Sequence, residues 1–150
     1  MTELRPLRES DLAALSTWLP QAAAALGCER WPDDAALRSA VGRDGALAIV
    51  EGDAAGVVSY RLGTPQPDAA EVSFLAVAPD RRRLGIGGRA ALALEERLGG
   101  SAARVYVSVP AQAGLALYFW LRLGYRPLTQ VEWPARPARP PAAWLVRELG

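Results

Sequence analysis

The stretch FLAVAPDRRRLGIGGRA, Phe74 to Ala90, decides how this chain is interpreted. An apolar run ends at a proline, three consecutive arginines follow, and three glycines stand where a helix-forming segment begins. Glycine lets backbone N–H groups approach a ligand closely, and a helix start carries partial positive charge. Arginine adds charge-assisted hydrogen-bond donors. The stretch is therefore typical of a phosphate-binding loop, with a solvated basic loop that needs glycine only to turn as the alternative.

The overall composition is that of an ordinary folded protein. Of its 150 residues 51% are hydrophobic and 22% are charged, and the formal net charge is +1. This length predicts one domain, and the near-neutral charge argues against a nucleic-acid partner. Cys28 is the single cysteine, the N-terminal segment has no apolar signal core, and no apolar run reaches the ~20 residues that span a bilayer. We therefore expect a cytoplasmic protein with no membrane contact.

The basic residues limit the possible chemistry. All 17 are arginine, because lysine and histidine are absent, and a GC-rich codon bias is the simplest cause. Ser-His-Asp and Cys-His catalysis, a His-ligated metal site, a Schiff-base lysine and a Walker A lysine are therefore excluded. We expect no metal, and a general base must be Asp, Glu, Tyr, Cys or a water molecule that one of them holds.

The periodicity of apolar residues predicts an α+β fold with the element order β-α-α-β-β-β-α-β-α-β-β. Antiparallel hairpins lead into one strand–helix–strand crossover, which predicts a mixed, mostly antiparallel sheet of about seven strands flanked by four helices. The predicted strands are Leu4–Leu7, Ala46–Gly52, Ala55–Gly63, Ala70–Pro79, Arg104–Pro110, Tyr125–Trp133 and Ala142–Leu149. The predicted helices are one capped by Ser10 or Asp11 and ended by Pro20, then Ala35–Val41, Gly85–Leu98 and Ala113–Leu123.

A dinucleotide-binding unit is one alternative for the glycine loop, because GIGGRA matches G-x-G-x-x-A. In that fold the glycines directly follow the strand, whereas here PDRRRL intervenes. The fold also uses an acidic residue about 20 positions further on, and the corresponding strand here ends VSVP. Both observations disfavour a dinucleotide site.

The same loop resembles the acyl-CoA signature of the GCN5-related N-acetyltransferase (GNAT) family. Val77-x-Pro79-x-x-Arg82-x-x-Gly85-x-Gly87 is similar to the family's R/Q-x-x-G-x-G/A, which opens a helix after a strand ending V-x-P. Four other stretches resemble the family in order and spacing: LRPLRESDLAAL, AEVSFLAV, VYVSV and AGLALYFWLRLGYRP. The resemblance covers essentially the whole chain and implies a single GNAT-like domain over residues 1–150.

The resemblance implies acetyl-CoA as the acyl donor. In the family the pantetheine arm lies between two splayed strands, held by backbone groups that correspond to Ala76 and Val77. The pyrophosphate binds the N–H groups at the helix start, with arginine side chains nearby, and we expect Arg81 to be merely solvated. The implied cofactor-binding residues are Ala76, Val77, Arg82, Arg83, Leu84, Gly85, Ile86, Gly87, Gly88, Arg89, Ala113 and Trp120.

Glu71 is the general base that the resemblance implies. It stands six residues before Val77 in the presumed fourth strand, at the offset of the base in the family's histone-acetylating members. Strand alternation places Glu71, Ser73, Leu75 and Val77 on one face. The alternative is a solvated residue at the start of a strand.

The general acid departs from the family's pattern. The family often has a tyrosine four residues before the glycine of its helix-ending turn and an asparagine seven residues before that tyrosine. Here Trp120 and Ala113 occupy these positions, and an indole N–H donates hydrogen bonds without serving as an acid. Tyr118 is the candidate acid, although two residues correspond to about 200° around a helix. Ser108, Tyr125 or unaided departure of the thiolate are alternatives, and core packing is the alternative for Trp120.

The implied function is N-acetyl transfer by direct attack in a ternary complex, with a small-molecule amine or a peptide N-terminus as acceptor. A catalytically degenerate acyl-CoA-binding sensor or partner module is the rival, and a homodimer is a further expectation because many family members pair. The acceptor itself is not identified by the sequence. Side chains in the regions that frame it in the family are those of Trp18, Trp31, Asp33, Asp34 and Trp133, together with the Pro-rich loop at 134–141.

Overall fold

The computed structural model describes residues 1–25, 34–43, 45–82, 84–110, 113–129, 132–133 and 142–150. The chain groups into two compact units, the first formed by Met1–Tyr60 and Phe74–Leu94 and the second by Arg61–Ser73 and Glu95–Gly150. The strands are β1 (Glu3–Pro6), β2 (Ala46–Glu51), β3 (Asp53–Leu62), β4 (Ala69–Val77), β5 (Arg104–Pro110), β6 (Arg126–Pro127) and β7 (Ala142–Glu148). The helices are α1 (Leu12–Leu15), α2 (Leu19–Ala25), α3 (Asp34–Ala40), α4 (Ile86–Leu98) and α5 (Gly114–Arg122).

The seven strands follow the order β1-β2-β3-β4-β5-β7-β6. The β4–β5 pair is parallel, and the pairs β1–β2, β2–β3, β5–β7 and β6–β7 are antiparallel. This confirms the predicted α+β fold with a mostly antiparallel sheet of seven strands. The single domain over residues 1–150 stays a prediction, as does the cytoplasmic location. Within the described ranges, no helix is long and apolar enough to cross a lipid bilayer.

The first unit has a core of aliphatic side chains from its helices packed on its strands. Leu15 and Leu19 are fully buried, and Leu37 of α3 is 1% exposed. They pack with Val57 of β3 and Phe74 of β4 in one apolar cluster. The amphipathic spacing seen in the sequence therefore turns one face of α1, α2 and α3 towards this core.

The first predicted helix is divided into two. α1 ends at Leu15 and α2 begins at Leu19, so Pro20 lies in the first turn of a new helix rather than at the end of the first. A proline is tolerated there because the first N–H groups of a helix have no intrahelical acceptor. In the break, the Ser16 and Thr17 hydroxyls donate to carbonyls three residues earlier. The described part of the chain therefore has five helices rather than four.

Asp11 was predicted as a possible helix cap and has a different role. Its carboxylate accepts hydrogen bonds from Nη1 and Nη2 of Arg5 at 2.7 and 2.9 Å and from the Arg8 N–H at 2.9 Å. Asp11 is 6% exposed, and the Arg5 guanidinium lowers the pKa of its carboxyl group. The residue joins β1 to the turn that precedes α1.

The second unit is organised around β5, whose observed bounds are those predicted. Parallel pairing with β4 runs from Ala69↔Arg104 to Val72↔Val107. Antiparallel pairing with β7 covers the whole of β5, from Arg104↔Glu148 to Pro110↔Ala142. β5 is apolar at most positions because it has a neighbour on both sides.

The predicted strand Tyr125–Trp133 is wrong over most of its length. Among the described residues of this range, the strand comprises Arg126 and Pro127, which pair with β7. Pro127 has no N–H for a ladder, and the Glu132 carboxylate accepts a hydrogen bond from the Thr129 N–H at 3.1 Å. This local bond joins Thr129 to Glu132 where the pattern predicted a strand. The predictions for Cys28, Trp31, Asp33 and the Pro-rich loop at 134–141 lie outside the described residues, as does the Asp34 side chain.

Candidate active site

The loop between β4 and α4 has a defined path at both of its ends. After Val77, the Ala78 N–H donates to the Ala55 carbonyl of β3 at 2.8 Å, and Pro79–Arg81 form one turn of 3-10 helix. Before α4, Gly85 has φ +77°, in the left-handed region that favours glycine. A side chain there would be strained, and its Cβ would lie 2.9 Å from Nη1 of Arg89. The sequence therefore needs glycine at position 85 to turn into the helix.

The start of α4 presents unpaired backbone donors. The Arg89 N–H donates to the Gly85 carbonyl at 3.1 Å, which is the first bond of the helix. The N–H groups of residues 85–88 precede it and have no intrahelical acceptor. Gly87 and Gly88 lie in this first turn, which contains no acidic side chain. Ile86 is 2% exposed, and its burial in the core holds the first turn of α4 in place. The N–H donors of this turn are therefore held in fixed positions.

Two of the predicted cationic residues lie beside these donors. Arg82 is exposed, and its Nε donates to the Val77 carbonyl at 3.1 Å. Arg89 is half exposed, and it donates to the Leu84 carbonyl at 3.1 Å and to the Thr2 hydroxyl at 2.9 Å. A guanidinium has five N–H donors, so Arg82 has donors beyond this contact for an anion, whereas Nη2 of Arg89 lies 3.7 Å from Oε2 of Glu51. Arg83 lies outside the described residues.

Arg81 is not the solvated residue that the sequence predicted. Its Nη1 donates to the Asp53 carboxylate at 2.7 Å, and its Nη2 donates to the Glu51 carbonyl at 2.6 Å. Glu51 and Asp53 flank Gly52, whose φ of +84° makes the β2–β3 turn. Arg81 therefore ties the 3-10 turn after β4 to this hairpin turn. Arg81 and Asp53 are 28 residues apart in the chain, so no local sequence pattern predicts their pairing.

At the end of β4, successive residues direct their backbone N–H and C=O groups to opposite edges of the strand. A Cβ built on Gly56 of β3 would lie 2.4 Å from the Ala76 carbonyl oxygen, and Ala78 bonds to Ala55 of the same strand. Successive residues of a strand direct their polar groups to opposite edges, so Val77 faces away from β3. Of the two residues predicted to hold pantetheine, Val77 is the one whose backbone points away from this neighbour.

Glu71 is buried, with 6% of its surface exposed, in the part of β4 that pairs with β5. It stands opposite Tyr106 in the parallel register. The alternative of a solvated carboxylate at a strand start is therefore wrong. A buried carboxylate is the kind of group that enzymes use as a base.

The residues predicted on α5 lie on two different sides of that helix. Trp120 is 5% exposed and packs edge to face with Phe119 and Tyr125, at centroid distances of 5.0 and 4.9 Å. Tyr118 is 59% exposed, and the guanidinium carbon of Arg122 lies 5.7 Å from the centroid of its ring. Ala113 precedes the helix without a side-chain cap. The roles of these residues stay predictions.

Comparison with known proteins assigns the family. Residues 9–125 match the acetyltransferase (GNAT) family. The chain belongs to this family.

Solved GNAT structures share the fold over nearly their whole length. The acetyltransferase from Thermus thermophilus superposes with a TM-score of 0.78 at 23% identity, covering 99% of this chain and 97% of that chain. The ribosomal-protein-S18-alanine N-acetyltransferase from Escherichia coli gives 0.69 at 20% identity, covering 100% and 95%. Arabidopsis thaliana NAA60 in complex with acetyl-CoA gives 0.69 at 16% identity, covering 99% of both chains. No curated protein matches the chain.

One buried polar group in this GNAT protein was missed by the sequence analysis. The Tyr125 hydroxyl donates to Oε2 of Glu95 at 2.8 Å, and Nε of Arg147 lies 3.6 Å from Oε1 of the same carboxylate. Burial, together with the Glu95 charge, raises the pKa of Tyr125. Tyr125, an alternative candidate for the acid, therefore holds its proton firmly and serves to fix the end of α5. The three residues come from separate elements, so only the folded chain reveals the group.

Proposed function

We propose that this GNAT protein is an N-acetyltransferase that moves the acetyl group of acetyl-CoA to a primary amine by direct attack in a ternary complex. The observation that carries the proposal is the start of α4, where unpaired N–H groups, a left-handed glycine and exposed arginines meet. NAA60, which shares the fold, is solved in complex with acetyl-CoA. A family of acetyltransferases and an anion-binding helix start together support the assignment.

The residues present fit coenzyme A. The N–H groups of residues 85–88 would donate hydrogen bonds to the pyrophosphate, with no competing carboxylate in the first helical turn. Arg82, Arg83, Leu84 and Arg89 would complete the phosphate site, and the backbone of Val77, rather than that of Ala76, which faces β3, would hold the pantetheine arm. Ala113 and Trp120 are proposed to line the cofactor from α5. When bound, the thioester supplies an acetyl group activated towards nucleophiles.

Glu71 is proposed to take the proton of the attacking amine, directly or through a water molecule. The amine nitrogen forms a bond to the acetyl carbon, the carbon–sulfur bond breaks, and the sulfur leaves with its electron pair. Only a neutral amine has the lone pair that this attack requires, so a base near the acceptor raises the rate. Tyr118 stays the candidate donor of a proton to the thiolate, with unaided departure as the alternative.

A second candidate is a protein that binds acyl-CoA without turnover. It is favoured by Trp120, which is buried in the core at the position of the family's tyrosine. Such a protein would have an intact α4 site and no chemistry beside it.

Calorimetric titration with acetyl-CoA, with NAD and ATP as controls, tests the cofactor. We expect selective binding of acetyl-CoA, and equal binding of NAD would contradict the pyrophosphate site as one for coenzyme A. Free-thiol release is then measured over a panel of small amines and peptides. Amine-dependent release supports the transferase, whereas tight binding with no release from any amine supports the sensor.

A further inference from the structure

Trp144 of β7 carries an unsatisfied hydrogen-bond donor. The residue is 2% exposed, and its Nε1 is, in the described part of the chain, the one buried side-chain nitrogen or oxygen without a hydrogen-bond partner. Buried polar groups in proteins are almost always paired, so each exception calls for a physical explanation. An indole ring that only fills space needs no such donor, because a phenyl ring packs without one.

The register of the second unit places this donor on the same face as the proposed base. Trp144 stands opposite Ser108, and Glu71 stands opposite Tyr106, two residues earlier on β5. Paired residues and residues two apart share a face of the sheet. The rings of Tyr106 and Trp144 meet edge to face at a centroid distance of 6.4 Å. The face therefore combines one buried carboxylate, two aromatic rings and one unsatisfied N–H.

The aromatic part of this face has apolar surroundings, whereas Ser73 and Ser108 add hydroxyl groups elsewhere on the face. Tyr106 and Trp144 belong to one buried cluster with Ala69 and Val146, against which Leu128 packs. β4 and β7 both pair with β5, and Glu71 and Trp144 are offset by two residues along it, so the two residues are about 12 Å apart at the backbone. A ligand that contacts both groups must therefore extend across β5.

The chemistry of the two polar groups restricts the ligand. An indole N–H only donates, so its partner must be an acceptor such as an oxygen. The Glu71 carboxylate attracts an ammonium group and repels an anion, so that oxygen belongs to a neutral carbonyl rather than to a carboxylate. The apolar walls favour an apolar body between the two.

We propose that Trp144 is a specificity-determining residue, whose indole N–H binds the carbonyl oxygen of an acceptor in which a primary amine stands next to a neutral carbonyl. The acceptor class is thus an α-amino amide with an apolar side chain, supplied as a free amino-acid amide or as a peptide N-terminus. This inference rests on the proposed function, because the acceptor amine is placed at Glu71.

The test uses a matched pair of amines on the 15N-labelled full chain. L-phenylalaninamide has the carbonyl, and 2-phenylethylamine has the same ring and amine without it. The indole N–H resonance of Trp144 is assigned with the Trp144→Phe variant and followed by NMR in each titration. We expect a downfield shift with the amide and none with 2-phenylethylamine. Trp144→Phe should lower the affinity for L-phenylalaninamide about tenfold and leave the affinity for 2-phenylethylamine within about twofold of that of the unmodified protein.

Several results would overturn the proposal: an unmoved Trp144 resonance when the amide binds, equal responses to both amines, or no binding of either. If Trp144→Phe fails to fold, the resonance is assigned by elimination with Phe variants of the other four tryptophans, and the shifts in the unmodified chain still decide. The titrations need no acetyl-CoA, so they test the Trp144 site independently of catalysis. An indole response without thiol release would contradict the transferase function and would still support amide binding at Trp144. Phe-Gly amide separates the two sources: tighter binding than L-phenylalaninamide supports a peptide N-terminus, and equal binding supports a free amide.

Discussion

The helices that follow β4 and β5 begin in different ways. α4 starts directly after Gly85, which is left-handed, and its first turn ends with the half-exposed cation Arg89. α5 starts after Ala113, which provides no side-chain cap, and its first turn, 114–117, has no charged residue. Both helix starts have the partial positive charge that every helix has. The difference therefore comes from the residues placed around the backbone.

Under the proposed function, this difference separates cofactor binding at α4 from turnover at Glu71 and α5. The α4 start agrees with the family's pattern and has what an anion needs, namely donors, cations and a turn that only glycine adopts easily. α5 departs from the pattern, because Trp120 is packed with Tyr125 in the core and Tyr118 is exposed. Changes at α4 should therefore remove cofactor affinity, whereas changes at Glu71 or on α5 should alter the rate with the cofactor still bound.

Gly87→Glu is the substitution with the largest expected effect. It places a carboxylate among the donors proposed for the pyrophosphate, and a like-charge contact of this kind costs several kcal/mol. We expect acetyl-CoA affinity to fall about 1000-fold in calorimetry. Gly100→Glu is the matched control, because Gly100 is exposed and a Cβ there meets nothing within 4 Å. If a folded Gly87→Glu protein binds acetyl-CoA with an affinity within threefold of the control, the assignment of the phosphate site to α4 is wrong.

Glu71→Gln should lower kcat about 100-fold near neutral pH, which is at the low end of what a general base contributes. Acetyl-CoA affinity should stay within about twofold, because the carboxylate is placed at the acceptor and not at the phosphates. Free-thiol release with an accepted amine and calorimetry on the same preparation give the two numbers. An unchanged kcat would exclude Glu71 as the base.

Asp11→Asn is the matched control for Glu71→Gln, because Asp11 is also 6% exposed and loses only its charge. We expect kcat to be unchanged and the free energy of unfolding at pH 7 to fall by about 1–3 kcal/mol, because Arg5 loses its partner. The lowered pKa of Asp11 means that its stabilisation is complete above its unfolded pKa of about 3.9 and is lost as the pH falls through the lower folded value. Urea unfolding of both proteins from pH 7 to pH 2.5 should show the difference shrinking; a difference that grows towards acid pH would contradict this.

Tyr118→Phe should lower kcat about tenfold if the hydroxyl protonates the thiolate, which is below the usual range for a well-placed acid because the residue is exposed. Stability should be unaffected, since the ring and its contact with Arg122 remain. The measurement is kcat with a good and a poor nucleophile. Identical rates for Tyr118→Phe and the unmodified protein would favour unaided departure of the thiolate.

The arginine pair gives the smallest expected effect. Arg82→Gln should lower the affinity for acetyl-CoA about fivefold, as expected for an exposed charge. Arg81→Gln should weaken it less than about twofold, because that guanidinium is bound to Asp53 and the Glu51 carbonyl. Titrations of both variants at low salt and at high salt check the order. An Arg81→Gln protein that loses as much affinity as Arg82→Gln, and loses it only at low salt, would show that Arg81 also reaches the phosphates; a loss that is independent of salt would come from disorder of the turn.

Local patterns predicted much of the fold because local physics decides it. The bounds of β5 follow from an apolar run ended by a proline, and α4 begins one residue after the predicted start because Gly85 serves as its turn. Pro20 was predicted to end the first helix, but it lies in the first turn of α2. A proline is compatible with either position, and only tertiary packing decides which one it takes.

The candidate site was predictable only in part. The glycine loop is a contiguous motif, so its residues are close together whatever the fold. The partners of Arg81 and Tyr125 are 28 and 30 residues away, and the unsatisfied indole of Trp144 depends on strand register. Pairings of this kind arise from tertiary packing, which no window of sequence contains.

The bridge from Arg81 to the β2–β3 turn also has a kinetic consequence. It holds the turn Pro79–Arg81 in place before any ligand arrives, so the conformational entropy of this turn is lost during folding and not during association. Acetyl-CoA should then associate in a single fast phase, without a slower step in which the turn becomes ordered.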